Sequence, residues 1–352
     1  MPNAGCGAGY SRLAWAFRQE YCGSITLRLP KIHEHLGPLV RIGPKEVSFY
    51  SIDIYDLVHK VNSGFVKDPR NYGEFVQDGH PALFSITDPD EHTKRRRILG
   101  QLFSRSKIVN LEGLMLHHVN EFVKSVEIIS EFSFGEDLHA ISGWSNDCDI
   151  PIVSKNDQKA TFMPLVTHIL FALSRNPTYQ EKLYQDLAKL GFPTDMGSLE
   201  NIPRLKACVK EGIRWAGAAA AMLPRVVPQG SVELCGKFIP EGTVITSLPI
   251  WYLRDRYAYP NPERFDPYRW IDETGTFMTN NALRDKFYVP FSKGSNMVDN
   301  FEIVHVNKDG YGQVAGLNNS GWQPVQLPKR NEWVAAVVTQ PSLVKTVPRV
   351  RR

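Results

Sequence analysis

Paired cysteines are missing from this sequence. Its 352 residues hold five, Cys6, Cys22, Cys148, Cys208 and Cys235, widely scattered and without any C-x-x-C spacing. An odd, dispersed set excludes a disulfide framework and a zinc site built on thiolate pairs, and it fits a reducing compartment. Long apolar runs are also missing. No stretch approaches the ~20 residues needed to cross a bilayer, and residues 1–10 lack the basic, then apolar, pattern of a secretory leader. A chain that is soluble or at most peripheral is therefore expected. Nor is there much surplus charge of one sign: 41 Lys and Arg against 37 Asp and Glu give a net +4. Nucleic-acid binders carry a stronger, clustered excess, so nucleic acid is not an expected partner. The one dense basic run, Lys94-Arg95-Arg96-Arg97, reads by itself as a solvated helix face.

A hydrophobic content of 42% supports a real core, and 24 prolines with 26 glycines imply many short connections. Residues 29–37 form an amphipathic helix closed by Gly37. Residues 39–50 form two β-rich runs around a Gly43-Pro44-Lys45 turn, a hairpin. A helix starts after Asp88, a suitable N-cap, with Pro89 in its first position and Ile98, Leu99, Leu102 and Phe103 along one side. Residues 142–158 are polar and aperiodic, a loop or a junction. Residues 162–173 are apolar nearly all round and short enough to be a buried helix. Further helices follow Asn176-Pro177 and Pro203, the latter with Leu205, Cys208, Val209, Gly212, Ile213 and Ala216 on one stripe. Turn signals at 235–237 and 240–242 predict short hairpins, and residues 254–292 an ordered meander. The fold class is α+β, mainly α, with small antiparallel sheets.

Two features carry chemistry. Glu211 and Arg214 stand three apart on one helix face, a pairing that on a surface contributes only ~0.2–0.5 kcal/mol. Downstream, Asn261-Pro262-Glu263-Arg264-Phe265-Asp266-Pro267-Tyr268-Arg269-Trp270 is held between prolines, and an arginine from it could return to the carboxylate. Two guanidiniums on one buried carboxylate make a staple that is costly to break.

With those residues assembled, KEGIR resembles the E-x-x-R signature of cytochromes P-450, and PERFDPYRW is similar to their PERF meander. The likeness implies a structural triad of Glu211, Arg214 and Arg264. LPRVVP (223–228), HLGPLVRIGPKEVSF (35–49) and DPDEHTKRRRILGQLFS (88–104) also fit, so the resemblance covers most of residues 12–140 and 160–295. It is of fungal type and implies a P-450-like fold over 12–300. It also implies a heme cofactor, a small hydrophobic substrate, a reductase as electron partner and monooxygenase activity of the secondary-metabolism kind. The family works at the endoplasmic reticulum membrane. For this chain, without anchor or leader, a cytoplasmic or peripheral location is expected.

Carried over residue by residue, His92, Arg96 and Arg225 would meet the heme propionates, and Phe291 and Gly294 would open the loop that holds the iron ligand. The family's F-x-x-G-x-R-x-C-x-G then fails: arginine becomes Asn296, cysteine becomes Val298 and glycine becomes Asn300. Valine has no lone pair for iron, so no metal ligand is assigned. Met297 and His305 lie nearby but read as ordinary loop residues. In the oxygen-activating helix Asp157 stands in for the acid, while Gln158 takes the threonine position. The segment between Arg96 and Asp157 is short for the family, which points to an internal deletion near 142–158 and a gap over the distal face. Residues 301–352 carry no family pattern and are expected to pack poorly. Three readings follow: a heme monooxygenase impaired at its ligand, an inactive remnant (a pseudoenzyme or a misassembled gene product), or a heme-free module for hydrophobic ligands.

Overall fold

The computed structural model describes residues 1–72, 83–102, 104–117, 120, 168–217, 222–279 and 281–293. Short strand segments are also described at 76–77, 80–81, 325–326, 330–332 and 336–338. Helices dominate, as the periodicity predicts. α1 (Ala16–Tyr21) and α2 (Ile25–Leu36) lead in, and α2 ends at Gly37, whose φ of 90° suits a residue without Cβ. α2 begins four residues before the stretch that the sequence suggests and carries Pro30 inside it.

β1 (Leu39–Gly43) and β2 (Glu46–Phe49) form the expected hairpin, with Leu39 opposite Phe49. They belong to a five-stranded sheet of order β1-β2-β9-β6-β3, completed by β3 (Val66–Lys67), β6 (Arg225–Val226) and β9 (Val244–Thr246). A second pair, β4 (Val76–Gln77) and β5 (His80–Pro81), lies between β3 and the next long helix. The turn at 235–237 makes a hairpin of β7 (Val232–Leu234) and β8 (Lys237–Ile239), with Cys235 and Gly236 both at positive φ, as such tight turns require. The turn at 240–242 does not make another. It sends β9 away from β8 into the main sheet, parallel to β2 and antiparallel to β6. β9 is buried at all three positions, and a central strand is where such a run belongs.

α3 (Ile52–His59) covers the sheet, capped by Ser51. Its Tyr55 and Val58 join Phe49, Ile245 and Tyr252 in one apolar cluster. α4 (Pro89–Leu102) starts as predicted: the Asp88 carboxylate accepts from the amides of Asp90 (2.8 Å) and Glu91 (2.9 Å). Ile98, expected to pack, is instead well exposed. Residues 168–174 are helical, with Ala172 and Leu173 buried but Leu170 half-exposed, so the apolar helix is not enclosed on every side.

α5 (Pro177–Lys189) and α6 (Pro203–Ala216) follow. α6 is buried on the predicted stripe and also at Glu211, Arg214 and Trp215, so its second half runs through the interior. α7 (Pro249–Leu253) is wholly buried. The meander then runs through β10 (Arg264–Phe265), a 3-10 turn at Pro267–Trp270 and α8 (Ala282–Phe287). Within 301–352, where poor packing is expected, three strand segments are described. β11 (Val325–Gln326) pairs with β10, and β12 (Arg330–Glu332) pairs with β13 (Ala336–Val338).

Candidate functional site

Glu211 and Arg214 are both completely buried. Arg214 grips the carboxylate with two nitrogens, Nε to Oε2 and Nη2 to Oε1, each at 2.8 Å. Its other donors reach the carbonyls of Leu253 (2.9 Å), Pro262 (2.8 Å) and Arg264 (3.1 Å). One guanidinium thus ties α6 to α7 and to the meander.

The second guanidinium on Glu211 belongs to Arg269, not to Arg264. Arg269 Nε donates to Oε1 at 3.3 Å, while its outer nitrogens hold the carbonyls of Pro260 (2.6 Å) and Asn261 (2.9 Å). Arg264 contributes only its carbonyl to the staple, and its own Nε has no hydrogen bond. The cause is local. Arg264 sits in β10, with its backbone committed to strand pairing. Asp266 then caps the 3-10 turn, accepting from Tyr268 N at 3.1 Å, and the turn swings Arg269 back over the carboxylate. The Asp266 amide (2.9 Å) and Trp270 Nε1 (3.0 Å) complete the shell around Glu211. A buried carboxylate with five donors is fully compensated.

A second group of charges is not compensated. Lys67 and Arg225 are direct partners across β3 and β6. Both are buried, at 5% exposure each, and both lie over the ring of Tyr72: Lys67 Nζ at 5.4 Å and Arg225 Cζ at 5.8 Å from its centre. Lys67 Nζ donates to the carbonyls of Phe84 (2.7 Å) and Leu83 (3.4 Å), whereas Arg225 Nε has no acceptor. His92, buried in α4, faces the same place, where it feels the charges of Lys67, Arg96 and Arg225. Burial first, then these cations, lowers its pKa to about 4. Burial and then Arg225 lower Lys67 to about 8. Arg225 itself is lowered by burial, and the only partners that oppose this are Tyr72 and Tyr55. His59, at the end of α3, is buried with neither ring nitrogen hydrogen-bonded, and Arg225 adds to the burial that depresses its pKa. Asp68, the carboxylate adjacent in sequence, is turned to Arg70 at 2.9 Å. The structure therefore gathers His92, Arg96 and Arg225, the three cations that the sequence singles out, and adds Lys67. No sequence signal marks Lys67, because a two-residue strand has no periodicity.

Phe291 is about a third exposed. The residue after it, Ser292, is buried and accepts from the Tyr55 hydroxyl at 2.7 Å, and Lys293 pairs with Asp56 of α3. The strand of chain that enters the expected ligand loop is thus anchored on α3, beside His59. Gly294, Asn296, Met297, Val298, Asn300 and His305 lie outside the described residues, as do Asp157 and the 142–158 junction. Among the described residues no three His, Cys, Asp or Glu side chains cluster as metal ligands. Cys208 is buried on α6, and burial raises its thiol pKa, which fits an inert core residue. No described helix is long and apolar enough to cross a membrane.

Comparison with known proteins agrees with this geometry. The family model described as Cytochrome P450 matches residues 160–297, ending one residue before Val298. "Cytochrome P450 monooxygenase macH" of Penicillium terrestre is 25% identical, over 78% of this chain and 76% of its own length. "Cytochrome P450 monooxygenase sol6" of Alternaria solani is 21% identical, over 88% of this chain and 89% of its own length. "Fusicoccadiene C-8 hydroxylase" of Alternaria brassicicola is 32% identical over 37% of this chain and 25% of its own. The alignment with macH runs over 395 positions although it draws on only 78% of a 352-residue chain. Many positions of that relative therefore have no counterpart here.

Proposed function

Because the chain belongs to the cytochrome P450 family, with fungal monooxygenases among its relatives, we propose that it is a tetrapyrrole-binding member that does not carry out the family's oxygen insertion. The family implies heme, which when bound through a cysteine thiolate activates dioxygen. The described residues fit one end of that group. Lys67, His92, Arg96 and Arg225 gather buried positive charge without a facing carboxylate, and Arg225 Nε is left without an acceptor. Two propionates would compensate it. At the other end the sequence does not fit, since Val298 offers iron no electron pair. We derive no oxidative step for that reason.

The uncompensated cation group carries this reading. Lys67 and Arg225 hold the carboxylates from the sheet, and His92, neutral near pH 7, is free to donate one N–H from α4. The Glu211–Arg214–Arg269 staple keeps α6 and the meander in register, and Tyr55–Ser292 keeps the start of the ligand loop against α3. The unmatched positions in the macH alignment support an internal deletion near 142–158.

The test is reconstitution with hemin, followed by the reduced carbon-monoxide difference spectrum. Uptake of hemin without a thiolate-type Soret band is expected. A thiolate-type band would overturn the reading.

A further inference from the structure

We propose that this chain recognises a tetrapyrrole by its two carboxylates and irrespective of the central metal, with Lys67 as an anchoring arm beside Arg225. The inference deepens the reading above and rests on it.

The argument starts from an electrostatic imbalance. Like charges directly opposite on paired strands are destabilising, and a buried ion carries a desolvation penalty of several kcal/mol unless it is paired. Lys67 and Arg225 are opposite, buried, and stacked over one Tyr72 ring. Every element packed around them adds a cation or a neutral group. α4 brings His92 and Arg96, α3 brings His59 and Tyr55, and Tyr72 is the shared ring. The one neighbouring carboxylate, Asp68, is engaged by Arg70. An unpaired buried guanidinium nitrogen is rare in a finished structure and calls for an occupant. The charge count calls for about two negative charges, which one porphyrin with two propionates supplies.

The metal end offers nothing comparable. Val298 occupies the ligand position, and the described residues hold no cluster of metal donors. Recognition that depends on carboxylates alone makes three ligands diagnostic: hemin, metal-free protoporphyrin IX, and protoporphyrin IX dimethyl ester. Each is titrated into the full chain and followed by Soret absorbance and tryptophan quenching, with inorganic phosphate as a competitor.

Hemin and the metal-free acid should bind with dissociation constants within about threefold of each other. The dimethyl ester should bind at least about tenfold more weakly, the loss of roughly one charge-assisted contact. Lys67→Met and Arg225→Met should each weaken both acids by about tenfold and leave the ester unchanged. Lys67→Arg, which keeps the charge, should retain binding and guards against a variant that fails to fold. A structural role alone would not produce this split between acid and ester.

Hemin binding more than tenfold tighter than the metal-free acid would overturn the inference, and so would equal binding of the ester. Displacement of the acids by millimolar phosphate would mean a generic anion site and would overturn it too, as would no binding of any porphyrin. Tight hemin binding without a thiolate-type band would sink the inference and leave the impaired-enzyme reading standing. A thiolate-type band would sink that reading itself.

Discussion

Lys67 and Arg225 face each other across β3 and β6, both buried, with one tyrosine ring beneath the two charges. In a ligand-free protein this arrangement is repulsive. Arg225→Met should therefore raise the melting temperature of the unliganded chain by about 2 °C, the equivalent of roughly 1 kcal/mol relieved. Differential scanning fluorimetry measures it. A clear fall in melting temperature would mean that Arg225 has a structural partner and is not waiting for an anion.

The staple around Glu211 yields a ranking. Glu211→Gln leaves Arg214 charged in the interior and should cost about 3–5 kcal/mol. Arg269→Met removes one guanidinium while Arg214 stays paired, for about 1–3 kcal/mol. Arg264→Met should cost less than about 0.5 kcal/mol, since its side chain makes no contact with the carboxylate. Urea midpoints at constant slope give the order, and an Arg264 effect as large as that of Arg269 would contradict the observed register.

His33 gives a pH prediction. Nδ1–H donates to Gly37 O and Nε2 accepts from Ser48 Oγ, both at 2.8 Å, and burial lowers the pKa to about 4. The folded value lies below the unfolded one, near 6.5, so the unfolded chain binds a proton that the folded chain refuses. Above pH 6.5 the group has no effect. Between pH 6.5 and about 4 it removes stability, by up to about 1.4 kcal/mol per unit. Urea titrations at pH 7 and 5 should show the loss, and His33→Gln should reduce it. An identical loss in the variant would assign the effect elsewhere, for instance to His92.

Much of this was legible in the sequence because it depends on short-range rules. The stripe on α6, the Asp88 cap and the Gly37 stop are local, and the structure has them. What escaped depends on direction in space. Two arginines stand five apart in the meander, and only the 3-10 turn after Asp266 decides that Arg269 returns to Glu211. The turn at 240–242 looks like a hairpin turn, yet β9 finds its partners in β2 and β6, strands far away in sequence. Lys67 joined the cation group through a two-residue strand that no pattern announces. Arg96, by contrast, lies in a basic run that reads alone as a solvated face. Only its spacing from His92, seen through the family likeness, placed it at the site.

The central claim is that a preserved carboxylate cradle has lost its metal ligand. The most direct test is the reduced carbon-monoxide difference spectrum of the hemin-loaded chain beside its Val298→Cys variant. The account predicts no thiolate-type Soret band for the chain as it stands and a thiolate-type band once the sulfur is supplied. A thiolate-type band in the unaltered chain would contradict it.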